Sequence, residues 1–342
     1  MANPYKIEQN IWKNKDYYNN DEEWWVTEDS RLVDFSRERS RDNRITQTPL
    51  GDLVGGCAPI LGLDGYDGFF FVPGGISEES RVRLAWSCLN EYCEPPHDTN
   101  IDQVPMKEDE VEGPPGFGMW RNHVEGLERR GTRENHVEGL ERRGTRENYY
   151  KCLGKLSWST MGYNYDWTLR AYHEGKRSPF PLELADLSLE LAKACGHRCF
   201  SPQASIVNFY HTKSLMGGHQ DNLEYAFDKP VISMSIGLPG IFLLGGLTKD
   251  EKPTPILVRD GDCMVMGGGS RLRFHGLAKV LGNDVKLPGA DEGLRATGLA
   301  FRGGRGGEEE KGVVKYLEGH RINVNVRQVL PDGVRSIDEV ER

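Results

Sequence analysis

The chain has 342 residues and a formal net charge of −9, a length that suits one large domain with extensions or two domains. The acidic balance argues against a dedicated nucleic-acid coat protein, although it leaves room for local phosphate contacts. The seven cysteines are odd in number and lack CxxC spacing. We therefore expect reduced thiols, with neither a disulfide framework nor a zinc site.

The sequence also bears on the compartment in which the protein works. No apolar run reaches the roughly 18 residues of a membrane span. The first residues have neither the hydrophobic core of a signal peptide nor the acid-poor character of a transit peptide. We expect an intracellular monomer without membrane contact, in the nucleus, the cytoplasm or both, with the mitochondrion as an open alternative.

The N-terminal third divides into three parts. Residues 1–56 are polar and charged, which predicts a disordered segment. Residues 57–120 form an extension, with a strand in GYDGFFFVPGG and a helix capped by Ser77 that buries Val82, Trp86 and Leu89. Residues 121–148 carry the sequence NHVEGLERRGTRE twice in tandem. Two copies are too few for a solenoid, so we interpret them as a duplicated surface loop or an error in the gene model.

Residues 149–335 have the pattern of a β-rich domain. The stretch PLELADLSLELAKACG places Leu184, Leu187, Leu191 and Cys195 on one helical face, with Gly196 as the stop. Short apolar runs separated by turn residues follow, and they predict a β-sandwich or jelly roll. These runs are ASIVNFY, KPVISMSIGL, GIFLLGG, TPILV, DGDCMVMGG, SRLRFHG and RINVNVRQVL. The segment 282–318 interrupts the last two as a glycine-rich insertion, whose RGGRGG could touch RNA or act as a linker.

An HxD triplet at His219 and Asp221 is a candidate metal-binding pair. Side chains at i and i+2 of an extended segment point the same way, and an open iron site needs two imidazoles and one carboxylate. His275 is the candidate third ligand and His320 its rival. Ordinary polar residues near turns are the alternative interpretation of His219 and His275.

A second candidate pair lies in the tandem repeat, where His123 and Glu125 form an HxE that recurs as His136 and Glu138. No strand periodicity surrounds either copy. We therefore discount both as metal ligands.

The stretch RINVNVR, residues 321–327, alternates strictly. Arg321, Asn323, Asn325 and Arg327 share one face of the predicted strand. The solvated face of an edge strand is one interpretation. An iron site of this kind often takes 2-oxoglutarate, however, and a buried guanidinium binds a carboxylate well. Asn208 and Tyr210 share a face of the strand before the HxD triplet, so the pattern favours a 2-oxoglutarate site.

Taken in order, these motifs resemble those of the AlkB family of nucleic-acid dioxygenases, over roughly residues 150–331. The sequence stretches that carry the resemblance are NFY, GGHQDN, KPVISMSIGLPGIFLLGGL, DGDCMVMGGGSRLRFHG and RINVNVR. IFLLGGL and the earlier GFFFVP are more similar to the AlkB homolog 1 branch than to the bacterial enzyme.

The resemblance implies a mainly β (α+β) fold: a double-stranded β-helix, or jelly-roll, core with flanking helices and a helical N-terminal extension. It implies Fe(II) on His219, Asp221 and His275. It also implies 2-oxoglutarate as cosubstrate, with Arg321 on its far carboxylate and Arg327 and Asn208 nearer the metal. Tyr210 and Asn323 complete the implied cosubstrate site.

The resemblance further implies oxidative demethylation of methylated bases in DNA or RNA. Oxygen and 2-oxoglutarate are consumed, and succinate, CO₂ and formaldehyde are released. The base must be single-stranded or flipped, and aromatic rings suit its stacking. Trp158, Tyr163 and Tyr165 would form the lid over it, with core packing as the alternative interpretation, and Lys249 and Glu224 would lie close by.

The substrate is less sharply defined. Leu223 stands where the bacterial enzyme has an acid, which argues against carrying the base specificity of that enzyme over to this chain. Candidate reactions include demethylation of 1-methyladenine in tRNA or N6-methyladenine in DNA, and oxidation of methylcytosine. A protein hydroxylase with the same iron site and a non-catalytic binding module are the alternatives.

Overall fold

The structure is a computed structural model that describes residues 3–15, 30–35, 42–53, 58–100, 156–166, 168–283, 285 and 308–340. The tandem repeat with its HxE pairs, the RGGRGG stretch and most of the glycine-rich insertion lie outside the described residues. Among the described helices, none is long and apolar enough to cross a bilayer.

The helices are α1 (Pro4–Asn14), α2 (Glu78–Asn90), α3 (Leu182–Ala194), α4 (Glu308–Leu317) and α5 (Ile337–Val340). The strands before α3 are β1 (Ile45–Asp52), β2 (Pro59–Leu63), β3 (Phe69–Val72), β4 (Asp98–Thr99), β5 (Trp158–Asp166) and β6 (Ala171–Arg177). Those after it are β7 (Ala204–His211), β8 (Met216–His219), β9 (Val231–Gly237), β10 (Gly240–Leu244), β11 (Thr254–Val258), β12 (Cys263–Met266), β13 (His275–Val280) and β14 (His320–Arg327).

The strands form two antiparallel sheets. The major sheet has the order β1-β2-β3-β12-β9-β14-β7-β5-β4, with β6 paired to β5, and the minor sheet has the order β11-β10-β13-β8. From β7 to β14 the chain passes back and forth between the sheets, so that β12-β9-β14-β7 face β11-β10-β13-β8. This is the double-stranded β-helix that the resemblance implied, and it confirms the mainly β fold.

Strand β14 lies in the middle of the major sheet, paired with β7 on one side and β9 on the other. Its aliphatic residues Ile322, Val324 and Val326 are fully buried in the cluster between the sheet and the outer helices. Arg321 and Arg327 face the opposite way, toward the minor sheet. The alternation is therefore confirmed, and the interpretation of an exposed edge strand is wrong.

Helices α2 and α3 cover the outer face of the major sheet. Ser77 caps α2 by accepting a hydrogen bond from the Ser80 amide at 3.2 Å, as predicted. Leu89 is buried as predicted, whereas Val82 and Trp86 are only partly buried. The rest of the buried face of α2 is formed by Leu84, Ala85 and Cys88. In α3 Leu184 and Leu191 are buried as predicted, Leu187 is partly buried, and Gly196 follows the helix with φ +87°.

The predicted disorder of residues 1–56 is wrong for the parts that the structure describes. Helix α1 packs on the outer face of the minor sheet, where Tyr5 and Trp12 join Leu243 and Leu257 in one buried cluster. The charged residues of α1 indicated an exposed segment in the sequence. In the structure Glu8 is buried and accepts a hydrogen bond from the Trp12 indole at 2.9 Å. Strand β1 pairs with β2 and so extends the major sheet.

The run SRLRFHG is not a strand along its whole length. A 3₁₀ turn occupies Gly268–Ser270, and strand β13 begins only at His275. Arg271, the residue after this turn, is buried and donates from Nε to the Lys229 carbonyl at 2.9 Å. The side chain thus anchors a loop where periodicity had predicted a strand.

Candidate active site

A cavity of about 600 Å³ lies between the two sheets, within the range of small-molecule sites. Both sheets contribute residues to it, as does the loop that follows β8. Its lining includes Trp158, Tyr165, Arg170, Tyr172, Asn208, Tyr210, His219, Gln220, Asp221, Leu223, Glu224, Ser233, His275, Arg321, Asn323, Asn325 and Arg327.

The predicted iron ligands meet at one end of this cavity. His219, the last residue of β8, is the cross-strand partner of His275, the first residue of β13. Asp221 follows two residues after β8. One donor atom of each of the three lies within 4.8 Å of the others. Two imidazoles and one carboxylate are thereby brought together, the donor set of non-haem iron oxygenases.

Backbone carbonyls fix the tautomer of both imidazoles. Nδ1 of His219 lies 2.9 Å from the Gly217 carbonyl oxygen, and Nδ1 of His275 lies 3.0 Å from that of Arg273. A carbonyl only accepts, so each Nδ1 carries the proton and each Nε2 keeps its lone pair for a metal. The Nε2 atoms face Asp221, at 3.9 Å from His219 and 3.6 Å from His275.

The ionisation of His275 and Asp221 also suits a metal. Burial lowers the pKa of His275 to about 4, and His219 beside it adds to the effect, so the ring is neutral at physiological pH. Burial alone would raise the pKa of Asp221, but the positive charge of Arg327, with smaller contributions from His275 and His219, outweighs it and holds the pKa below its usual range. A neutral imidazole and a charged carboxylate are the metal-binding forms.

Arg321 lies at the other end of the cavity. Its guanidinium donates to the Leu238 carbonyl at 3.2 Å and to the Ser235 hydroxyl at 2.7 Å, while its Nε is buried without a hydrogen-bond partner. Burial lowers the pKa of Arg321 to about 10, which leaves it a cation. Tyr210 lies opposite it on β7, and burial raises the pKa of this phenol to about 12, so it stays a donor.

Polar side chains line the cavity from Arg321 to the metal ligands. Arg327 donates from Nη2 to Asp221 at 3.0 Å, and its Nη1 is buried without a partner. Asn208 and Asn323 are cross-strand partners on β7 and β14. Asn323 donates to the Ser233 hydroxyl at 2.9 Å. The row Arg321–Asn323–Asn325–Arg327 thus runs along the cavity toward the metal ligands, as the alternation predicted.

The part of the chain that carries this site also matches a known protein family. The family model described as "2OG-Fe(II) oxygenase superfamily" matches residues 122–327 of the chain. The chain belongs to this superfamily.

Within the superfamily the chain is similar to ALKBH1 proteins. It is 32% identical to the mouse protein named "Nucleic acid dioxygenase ALKBH1" over 295 residues, 82% of this chain and 70% of that protein. It is 28% identical to "DNA N(6)-methyladenine demethylase ALKBH1A" of Arabidopsis thaliana over 314 residues, 88% of this chain and 87% of that protein. It is 33% identical to "tRNA demethylase abh1" of Schizosaccharomyces pombe over 179 residues, 52% of this chain and 54% of that protein. The AlkB homolog 1 resemblance is confirmed.

As a member of the 2OG-Fe(II) oxygenase superfamily, the protein is a dioxygenase that uses Fe(II) and 2-oxoglutarate. The residues present fit both groups. His219, Asp221 and His275 supply the donors for the metal, while the unpartnered buried atoms of Arg321 and Arg327 are those that a dicarboxylate would satisfy. Together with oxygen, the bound groups supply the oxidation of a substrate C–H bond.

The position of the His320 side chain excludes this residue as the third metal ligand. Its ring stacks on Tyr316 with centroids 4.0 Å apart, and its Nδ1 lies 2.9 Å from the Tyr316 carbonyl. Its side chain therefore lies on the helix-covered side of β14, whereas Arg321 faces the cavity.

The residues predicted to contact the substrate separate into two groups. Trp158 and Tyr165 line the cavity. Tyr163 instead donates to Glu174 at 3.0 Å and lies under the Arg177 guanidinium. Lys249 lies over the Phe274 ring, 5.0 Å from its centroid, and is not among the cavity residues. The pairing of β5 with β6 shifts between Tyr163 and Tyr165, so simple alternation failed to separate the two tyrosines.

Glu224 lines the cavity, but both of its carboxylate oxygens are engaged by the protein. The Tyr172 hydroxyl donates to one at 3.0 Å, and Arg271 donates to the other at 2.9 Å. Sequence reasoning missed Tyr172, Arg170 and Arg271 as members of this site. The only signal for them was proximity to aromatic and glycine-rich motifs, which does not reveal tertiary contacts.

Proposed function

We propose that this oxygenase oxidatively removes methyl groups from nucleic-acid bases, and that the base enters the cavity single-stranded or flipped from a duplex. The observation that carries the proposal is the pair of aromatic side chains, Trp158 and Tyr165, which line the same cavity as the metal ligands. Stacking of a base on such rings stabilises binding by ~1–3 kcal/mol per base and tolerates any sequence.

The named relatives support this substrate class. A mouse relative is named as a nucleic acid dioxygenase, an Arabidopsis relative as a DNA N6-methyladenine demethylase and a fission yeast relative as a tRNA demethylase. Hydroxylation of an N-methyl group gives a hemiaminal, which loses formaldehyde and restores the base.

Candidate substrates are 1-methyladenine in tRNA, N6-methyladenine in DNA and, by oxidation, methylcytosine. Leu223 lines the cavity two positions after Asp221. An apolar side chain offers no acceptor to an exocyclic amino group, which supports a base preference different from that of the bacterial enzyme. The expectations of a monomer and of a nuclear, cytoplasmic or mitochondrial location stay predictions.

Mass spectrometry of nucleosides tests the proposal. Total tRNA and genomic DNA are digested before and after incubation with the protein, Fe(II), ascorbate and 2-oxoglutarate. We expect at least one methylated nucleoside to decline, and no decline with Asp221→Ala. If no methylated nucleoside changes while added peptides gain oxygen, the enzyme is a protein hydroxylase and the proposal is wrong.

A further inference from the structure

Four charged side chains are packed together behind the metal end of the cavity. Arg271 donates to Glu224 at 2.9 Å and also to the main-chain carbonyl of Asp221. Arg327 donates to the Asp221 carboxylate at 3.0 Å, and its Nε lies 3.3 Å from Glu224. Each arginine therefore contacts both acids: Arg271 contacts the side chain of Glu224 and the main chain of Asp221, and Arg327 contacts both side chains.

These four groups are almost wholly shielded from water. The side chains of Arg271 and Glu224 are 2% and 3% exposed, and those of Arg327 and Asp221 are 6% and 10% exposed. The Tyr172 hydroxyl completes the environment of Glu224 with a hydrogen bond of 3.0 Å. Charges interact more strongly at such depth than at the surface.

The cluster is balanced, with two cations and two anions among the four side chains. Asp221 has to offer its charge to a metal cation, yet Arg327 is already bonded to that carboxylate. Without Glu224, two buried guanidiniums would face a single carboxylate that the metal also needs. Such an excess of positive charge repels a divalent cation and attracts a dicarboxylate anion.

We propose that Glu224 is a positioning residue of the metal centre. It neutralises Arg271 and Arg327, so that Asp221 keeps the charge and the orientation that a metal requires. Glu224 thereby sets the balance between affinity for the metal and affinity for 2-oxoglutarate. The inference concerns the metal and its cosubstrate and is independent of the nucleic-acid substrate.

Binding measurements on the full chain test this role without relying on turnover. Mn(II) affinity of the metal-free protein is measured by electron paramagnetic resonance of the free ion. Affinity for 2-oxoglutarate is then measured by calorimetry at saturating Mn(II). For Glu224→Gln we expect Mn(II) to bind about tenfold more weakly, or ~1.4 kcal/mol, while 2-oxoglutarate binds more tightly.

Opposite changes in the two affinities separate this role from a structural one. A loss of packing alone would weaken both ligands together and lower the melting temperature in proportion, and that result would overturn the proposal. Unchanged affinity for Mn(II) would also overturn it.

Two further variants keep the test decisive if Glu224→Gln folds poorly. Glu224→Asp keeps the charge, so it should retain most of the Mn(II) affinity even if it is less stable. Glu224→Gln combined with Arg271→Gln removes one charge of each sign, so Mn(II) affinity should recover toward the wild-type value. A double variant that binds Mn(II) no better than the single variant would contradict the proposed balance of charge.

Glu174→Gln is the matched control. Glu174 also accepts a hydrogen bond from a tyrosine hydroxyl, that of Tyr163 at 3.0 Å, and pairs with an arginine, Arg177 at 3.2 Å. It is not among the residues that line the cavity. We expect this variant to leave both affinities at the wild-type value, and parallel changes in both variants would count against a specific role for Glu224.

Discussion

The two ends of the cavity differ in how their charges are satisfied. At the metal end, Asp221 accepts a hydrogen bond from Arg327 at 3.0 Å, and Arg271 is paired with Glu224 at 2.9 Å. At the opposite end, which we call the anchor end, Arg321 donates to the neutral acceptors Leu238 O and Ser235 Oγ. Within the described residues the metal end is charge-balanced, whereas the anchor end holds a cation without a hydrogen-bonded anion.

The difference in charge environment suits the two unlike ligands that the cavity binds. A metal needs a rigid set of donors whose charge is already directed toward it, so neighbouring arginines and a second carboxylate position Asp221. A dicarboxylate brings its own negative charge, so the protein only has to supply a buried guanidinium whose Nε is still unpartnered. Mutations at the two ends should therefore have separable effects on the two ligands.

The largest effect is expected at the metal end. His219→Ala removes one of the three donors and should abolish both Mn(II) binding and the release of succinate from 2-oxoglutarate, measured by titration and chromatography. His320→Ala is the matched control and should keep both, because its ring stacks on Tyr316 outside the cavity. Retained turnover in His219→Ala would show that the ligands are misassigned.

The anchor end should respond next most strongly. Arg321→Gln removes the cation and should weaken 2-oxoglutarate binding by ~1.5–3 kcal/mol, as for a hydrogen bond to a charged group, while Mn(II) binding is unchanged. Calorimetry with the Mn(II)-loaded protein measures the affinity for 2-oxoglutarate, and a Mn(II) titration of the metal-free protein measures the affinity for the metal. The matched control is Arg273→Gln, because Arg273 also donates to neutral carbonyls, those of Gly245 and Gly65. Equal losses in the two variants would argue against a specific anchor.

A third variant tests the cavity wall that belongs to neither end. Trp158→Ala should weaken binding of a methylated single-stranded oligonucleotide by ~1–3 kcal/mol and leave both Mn(II) and 2-oxoglutarate affinity unchanged. Fluorescence anisotropy with the Mn(II)- and 2-oxoglutarate-loaded protein measures it. Tyr163→Phe should bind the oligonucleotide normally, since its hydroxyl donates to Glu174 instead of facing the cavity. Stronger weakening by Tyr163→Phe than by Trp158→Ala would reverse the assignment.

The smallest effect concerns the strand that carries His219. A Cβ on Gly218 would lie 2.4 Å from a ring carbon of Tyr5, whereas one on Gly217 would meet nothing within 4 Å. Gly218→Ala should lower the free energy of unfolding, toward the low end of the ~1–3 kcal/mol typical of overpacking, because the terminal helix α1 can shift. Gly217→Ala should be nearly neutral. Denaturant unfolding of both variants decides the matter, and equal stabilities would show that α1 does not pack here.

Much of the anchor end was predictable from a single stretch of sequence. RINVNVR alternates with the period of a strand, so its polar face followed directly. The HxD triplet and a later histidine were also visible, but spacing alone left His275 and His320 as rivals. Only the register decided between them, because His275 is the cross-strand partner of His219, while His320 packs on Tyr316.

Other features were hidden because they depend on contacts between distant segments. The charged segment that forms helix α1 was predicted to be disordered, although the Trp12 indole donates to Glu8 where the helix packs on the minor sheet. Tyr163 and Tyr165 appeared equivalent, although a shift in strand pairing separates them. Glu224 appeared to face the substrate, although its oxygens are held by Tyr172 and Arg271.

The sequence by itself determined the alternation of strands such as β14, the order of the motifs and the chemistry of the donors, because side-chain alternation is a local property of the backbone. The tertiary structure decided which donors meet and which charges cancel. Those outcomes depend on sheet register and on loops such as the 3₁₀ turn at Gly268–Ser270, which no local pattern encodes. The balance of charge around Asp221 therefore became visible only when the two sheets were brought face to face.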